Sequence, residues 1–323
     1  MTELITFGET PLRFSPQGHQ RLERADEMTI HADGTESNVA VAAQELGAEA
    51  LWLSKLPESP LGRRVVTQIE EQGIETDIAW TDDGSLRQGF VFRESGSKPR
   101  QTREHHDRQY TAAATAQPVD FPMDRVQDAS VVFTGLSTPV LSPETAETTR
   151  AILRASGGSG AVTAMDLDYS PALASPTRYR ETLEELAEDI DMLIANVSNV
   201  NTVLDRDGGP RELANLLAAD YDLEVAVITR SEKGAVALHD SPGTNVIHER
   251  ETIPTETVDP TGTHGAFAGA FLQQLIDGAN TARSLTYAVA VAALSRTIPG
   301  PFLTTIGDEE IEPLVDEVND RSP

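Results

Sequence analysis

Cysteine is absent from the 323 residues, which excludes disulfides and thiolate-held metals. Lysine is nearly absent. Lys55, Lys98 and Lys233 are the full complement, and arginine supplies the rest of the 25 basic side chains. Against them stand 52 Asp and Glu, for a formal net charge of −27. Such a chain lacks the basic footprint that nucleic-acid binding leaves, so no nucleic-acid partner is expected. Large aromatics are scarce, at 5%. No run approaches the ~18 apolar residues of a membrane span. The first residues read as a short strand, not as a charged-then-apolar leader, so a soluble cytoplasmic protein is expected. The acid excess is spread along the chain, with few lysines. That points to the salt-in cytoplasm of a halophile, where a short Debye length screens self-repulsion.

What is present is alternation. Strand-like runs at Leu4–Phe7, Ala50–Ser54, Val131–Thr134, Ala161–Met165, Met192–Ala195 and Val225–Ile228 are separated by helical patterns. The helices are expected over Val39–Leu46, Arg63–Gln72, Pro143–Ala155, Thr182–Asp189 and Pro210–Ala219, then over Ala266–Asp277 and Ala282–Leu294. Gly47 and Gly73 close the first two, as C-terminal glycines do. Strands alternating with helices of this length imply βαβ units. The fold class is therefore α/β, a mostly parallel sheet with helices on both faces. No repeat interrupts it, and Ser156–Gly160 is too short a loop to separate domains, so one domain over 1–323 is expected. Two stretches depart from the pattern, 10–33 and 86–110. They are polar, Arg-rich and built of short alternating segments such as Gly89–Arg93, and they read as antiparallel strands projecting from the main sheet.

The segment with most chemistry is Val258-Asp-Pro-Thr-Gly-Thr-His-Gly-Ala-Phe-Ala-Gly-Ala-Phe271. Small residues at 261–265 run straight into the apolar pattern Ala266, Phe267, Ala270, Phe271. A helix entered through such a turn offers free amides and a positive dipole end to an anion. Gly262, Thr263 and His264 are the candidate anion hole. The segment resembles the signature of the ribokinase/PfkB carbohydrate kinases, Asp-Thr-Xaa-Gly-Ala-Gly-Asp-Xaa-Phe. The last Asp of that signature is the base that deprotonates the sugar hydroxyl, and here its place is taken by Gly265. His264 is the nearby substitute, one residue early and so expected to point elsewhere.

The resemblance extends along nearly the whole chain. Gly34-Thr-Glu-Ser-Asn38-Val-Ala40 is similar to the segment whose Gly and Asn contact sugar hydroxyls. Asn38 otherwise suits a helix N-cap. The segment ending Arg108-Gln-Tyr-Thr-Ala112 is similar to the lid return of 2-keto-3-deoxygluconate kinases, which implies that Arg108 grips a substrate carboxylate through its fork. The alternative for Arg108 is a solvated lid side chain. His105 and His106 are adjacent on a strand and point to opposite faces, which argues against a metal there. Asp168 and Ser170 stand where the family has Asn and a phosphate-side Arg. Asn199 stands where a Glu organises Mg²⁺, and an uncharged amide holds a hard dication less well. Asn196, Thr229, Ser231 and Gly234 correspond to nucleotide-side positions, and Gly300 to the residue that closes the adenine pocket.

Three expectations follow from this resemblance. The fold is a ribokinase-like three-layer sandwich with a small β-lid from 10–33 and 86–110, often used for dimerisation. The reaction is Mg-ATP-dependent phosphorylation of a sugar or sugar acid, without a tightly bound cofactor. A nucleoside is an alternative acceptor, since few lid residues choose the substrate. The joint departures at Ser170, Asn199 and Gly265 open a different class of reading: a sugar- or nucleotide-binding pseudokinase or regulatory protein. Loss of a positioned base alone costs ~10²–10⁴-fold, and phosphoryl transfer depends on positioning and charge stabilisation.

Overall fold

The computed structural model describes residues 2–241, 244–304 and 306–322. The first part of the chain forms β1 (Leu4–Phe7), β2 (Leu12–Pro16), β3 (Met28–Ala32), α1 (Thr35–Glu45), β4 (Ala50–Pro57), α2 (Pro60–Glu70), β5 (Glu75–Thr81), β6 (Phe90–Glu94) and β7 (Arg103–Asp107). The middle forms α3 (Met123–Gln127), β8 (Val131–Gly135), α4 (Ser137–Val140), α5 (Pro143–Gly157), β9 (Val162–Leu167), α6 (Pro176–Leu186), β10 (Met192–Asn196), α7 (Val197–Leu204) and α8 (Pro210–Tyr221). The last part forms β11 (Val225–Thr229), β12 (Ala235–Ser241), β13 (Thr244–Arg250), α9 (Thr263–Ile276), α10 (Thr281–Ser295) and α11 (Asp308–Arg321).

Nine strands make one sheet in the order β13-β12-β11-β10-β9-β8-β1-β4-β5. From β11 to β5 every pairing is parallel; β12 and β13 add an antiparallel edge. The central strands are apolar on both faces because both faces are covered. One face packs on α1, α2, α9, α10 and α11, around Trp52, Phe133 and Phe271. The other packs on α5, α6, α7 and α8, around Met165, Tyr179 and Leu193. The chain leaves β1 toward β4 on one side and returns through β8 on the other. That reversal opens a crevice beyond the carboxyl ends of the strands, where α/β sheets bind ligands.

Four more strands form the lid, in the order β3-β2-β6-β7. The outer pairs are antiparallel, as the sequence suggests, but the central pair β2–β6 is parallel. It joins two excursions that leave the main sheet in the same direction, a relation alternation alone does not reveal. One lid face carries Phe14 stacked on Phe92, with ring centroids 5.2 Å apart. Val91 and His106 on the opposite face line the crevice.

Several boundaries differ from the sequence reading. α6 starts at Pro176, six residues before Thr182, because Ser175 caps it by accepting from the Arg178 amide at 3.2 Å. α1 starts at Thr35 with Gly34 as N-cap. Asn38 is therefore inside the first turn and is not the cap. β5, β12, β13, α3, α4, α7 and α11 were not anticipated. β5 and β13 are edge strands, exposed on one side and less apolar, so their runs are harder to see.

Helices α1 and α9 cross unusually closely. A Cβ on Gly269 would lie 2.6 Å from Ala42 Cβ, and one on Gly265 would lie 2.7 Å from Asn38 Cβ. Two glycines one turn apart therefore bring the α9 N-terminus against the start of α1. No helix of the described residues is long and apolar enough to cross a membrane.

Candidate active site

The crevice divides into two clefts. The first, of about 470 Å³, lies under the lid at the ends of β1, β8 and β9. Its walls are charged and nearly buried. Arg108 donates from Nε to Glu9 Oε2 at 2.7 Å, with side chains only 8% and 1% exposed. Its terminal nitrogens make no hydrogen bond among the described residues. Arg108 is thus a buried lid residue, not a solvated one. Asn38 donates from Nδ2 to Asp33 Oδ1 at 2.8 Å, and Arg13 holds the other Asp33 oxygen at 2.7 Å. Asn38 Oδ1 is buried without a partner among the described residues, an acceptor left open in the cleft wall.

Two carboxylates form the cleft floor. Asp168 accepts from the Ser137 amide at 2.7 Å, from Ser137 Oγ at 2.6 Å and from Thr35 Oγ1 at 2.9 Å. Glu36 accepts from Thr138 Oγ1 at 2.6 Å and from the Gly135 amide at 3.0 Å. Burial, reinforced by the Asp168 charge, pushes the Glu36 carboxyl up to about 8. Burial and the Asp166 charge raise Asp168 to about 6. Neutral pH therefore places a proton on Glu36 and leaves most of the negative charge on Asp168.

The second cleft, of about 300 Å³, is smaller and more apolar. Phe267, Val289 and Ala292 give it an apolar wall, and Asn196, Thr229, Ser231 and Gly234 give it a polar rim. Asn196 Nδ2 reaches Thr229 Oγ1 at 3.3 Å and Ser231 Oγ at 3.2 Å, which ties the ends of β10 and β11 together.

The two clefts meet at the start of α9. Gly262 is the N-cap, at φ 78°, a left-handed turn that glycine accepts without cost. Ala266 is the first residue bonded back, to the Gly262 carbonyl at 2.8 Å. The amides of His264 and Gly265 precede it and have no acceptor within the helix. Gly262 and Gly265 line the first cleft, Thr263 lines the second, and His264 lines both. His264 Nε2 makes a short contact with Asp166 Oδ2, and the Asp166 side chain is 1% exposed. The imidazole thus points at the end of β9, into the junction where the sequence reading expected it to turn away. Burial alone would lower its pKa, but attraction to Asp166 and Asp168 outweighs this and raises it.

The structure therefore gathers Gly34, Asn38, Arg108, Asp168, Ser170, Gly262, His264 and Gly265 in one cleft, and Asn196, Thr229, Ser231, Gly234 and Thr263 in the other. It does not gather Asn199 or Gly300. Asn199 lines neither cleft and donates its amide to the Leu167 carbonyl at 2.8 Å. Gly300 faces a crevice beside the lid, and its amide bonds Asp259 Oδ2 at 3.1 Å. Sequence reasoning missed Glu9, Glu36 and Ser137. Glu36 had a signal, a carboxylate among small residues at the start of an apolar helix. Glu9 and Ser137 lie just past the ends of β1 and β8, where only the sheet order makes them neighbours.

Residues 1–304 match the pfkB family carbohydrate kinase model. The chain is 44% identical over 307 residues to the 2-dehydro-3-deoxygalactonokinase of Haloferax volcanii, covering 95% of each. Among solved structures it is similar to the 2-dehydro-3-deoxygluconokinase of Thermotoga maritima, at TM-score 0.85 and 27% identity, covering 98% of this chain and 100% of that one. A putative ribokinase II of E. coli, solved with ATP and Mg²⁺, shares the fold at TM-score 0.83 and 18% identity, covering 98% and 100%.

Proposed function

The chain belongs to the pfkB family of carbohydrate kinases, and on that premise we propose that it transfers the γ-phosphoryl group of ATP to a hydroxyl of a 2-dehydro-3-deoxy sugar acid. The observation that carries the reading is the junction of a charged cleft and an apolar cleft at the open amides of α9. An anionic group in flight between two bound molecules needs those donors at that point. In the charged cleft the free fork of Arg108 suits the acid group, and the open Asn38 Oδ1 suits a hydroxyl. The apolar wall of the second cleft suits a base ring. The 44% relative favours the galacto configuration of the sugar acid.

Magnesium would arrive on the nucleotide phosphates and neutralise their charge there. Among the described residues no cluster of three or more His, Asp or Glu side chains is placed to hold a metal. The acid excess supports work at high salt. The strand edges of the lid sheet, β3 and β7, support pairing of two copies through it. A second reading, binding without turnover, is favoured by Gly265, which has no side chain to act as base.

The deciding assay follows ADP release in molar KCl with 2-dehydro-3-deoxygalactonate and 2-dehydro-3-deoxygluconate. Release that depends on the sugar acid is expected, faster with the galacto form. Saturable binding of sugar acid and nucleotide with no release would establish the second reading instead.

A further inference from the structure

Gly265 reads in sequence as a base that has been lost. The structure gives it a different role, because a side chain there would strike Asn38: an added Cβ would sit 2.7 Å from Asn38 Cβ and 3.2 Å from its carbonyl carbon. Both atoms belong to a helix whose first turn is buried, so neither moves easily. The space for a carboxylate at this position has been used to bring α9 against α1.

One residue earlier the geometry supplies what the glycine lacks. Asp166, at the end of β9, is 1% exposed and fixes the His264 ring through Nε2. If Nε2 carries the proton shared with that carboxylate, Nδ1 carries the lone pair. Nδ1 makes no hydrogen bond among the described residues, and the side chain is 39% exposed, its free edge in the two clefts it lines. A buried carboxylate that orients an imidazole toward a hydroxyl is the arrangement that activates nucleophiles on many unrelated folds.

Resting on the kinase reading above, we propose that the Asp166–His264 pair is the general base of this enzyme, with His264 the catalytic residue and Asp166 its positioning residue. The step balances simply. The sugar-acid hydroxyl gives its proton to His264 Nδ1 as its oxygen bonds to the γ-phosphorus. The bond from that phosphorus to the β-phosphate oxygen breaks, and ADP leaves with the electron pair. The imidazolium then returns its proton to solvent. The same residue therefore touches acceptor and donor, which fits its place in both cleft walls. The charges that act on the ring are Asp166 and Asp168 at the end of β9; Glu9, Glu36, Glu104, His106 and Arg108 also line the first cleft, and Arg296 the second.

The experiment compares wild type with His264→Gln, His264→Ala and Asp166→Asn in molar KCl, measuring rates across pH and binding by calorimetry. In parallel, NMR follows the His264 imidazole in the free protein as pH is varied. His264→Gln should lose ~10²–10⁴-fold in kcat while its affinity for sugar acid and nucleotide changes little. Added imidazole should restore part of the rate of His264→Ala. The wild-type rate should climb with pH as the imidazolium loses its proton. In Asp166→Asn both that climb and the NMR titration should move to lower pH, a shift that a merely structural Asp166 would not produce. A His264→Gln enzyme that keeps the wild-type rate would remove the base and leave the kinase reading standing. So would a rate that falls as His264 deprotonates, since His264 would then act as a cation. A wild type that binds both ligands and releases no ADP would overturn the kinase reading, and the base with it.

Discussion

The two clefts on either side of His264 are built from opposite materials. The lid-side cleft is walled by Glu9, Asp33, Glu36, Asp168 and Arg108, ionisable groups taken out of water and held by hydrogen bonds. The other relies on Phe267, Val289 and Ala292, with hydroxyl and amide groups only at its rim. A small, hydroxyl-rich acid can be told from its isomers only by directional polar contacts, and a site built for such contacts rejects molecules that leave them unpaired. A flat heterocycle is held by area and needs few such contacts. The charged cleft is therefore expected to govern which acceptor reacts, and the apolar cleft how tightly the nucleotide is held.

Arg108→Ala tests this difference most severely. It removes the fork left open in the charged cleft and leaves Glu9 buried without its partner. Charge-assisted hydrogen bonds contribute about 1.5–3 kcal/mol, so kcat/KM for the sugar acid should fall roughly 10–100-fold. The KM for ATP should hardly change. Equal losses for both substrates in steady-state kinetics would erase the division of labour.

Gly265→Asp comes next. Overpacking at a tight crossing costs about 1–3 kcal/mol, so thermal unfolding should show a lower Tm and no gain in activity. A variant more active than wild type at unchanged Tm would return Gly265 to the role of a missing base. On the nucleotide side, Ala292→Phe should weaken nucleotide binding by about tenfold, ~1.4 kcal/mol, and leave sugar-acid affinity as it was. Calorimetry with each ligand alone checks both halves.

The smallest effect is a pH slope. Glu36 holds its proton up to about 8 in the folded protein, above its ordinary value. Its contribution to stability is fully present below the ordinary carboxylate range and is lost as pH rises through about 8. Glu36→Gln, which cannot ionise, should flatten the fall of Tm between about pH 5 and pH 8. An unchanged slope would mean that the burden lies on another group.

Much of this molecule was legible in its sequence. The six buried parallel strands were read because strands covered on both faces are continuous apolar runs. The edge strands β5 and β13 were not, since one exposed side dilutes that signal. The lid segments were recognised by their polar alternation, and the parallel join of β2 to β6 was not. Asn38, Arg108 and Asp168 were singled out by motif, and all three line the charged cleft. Glu9 and Ser137 carry no local pattern, being adjacent only because β1 and β8 are. Asn199 and Gly300 matched a motif and lie away from both clefts.

The sequence alone determined the α/β class, the acid excess, the glycine-containing entry to α9 and the absence of a carboxylate at position 265. These rest on composition and local periodicity, which short-range sterics and burial translate directly into structure. Only the tertiary structure decided what that absence means. Gly265 is held against Asn38, His264 is turned onto Asp166, and Arg108 is paired with Glu9, each across at least 98 residues of chain or between two separate helices. Contacts of that span are set by how helices and strands pack, and nothing in the neighbouring residues specifies them.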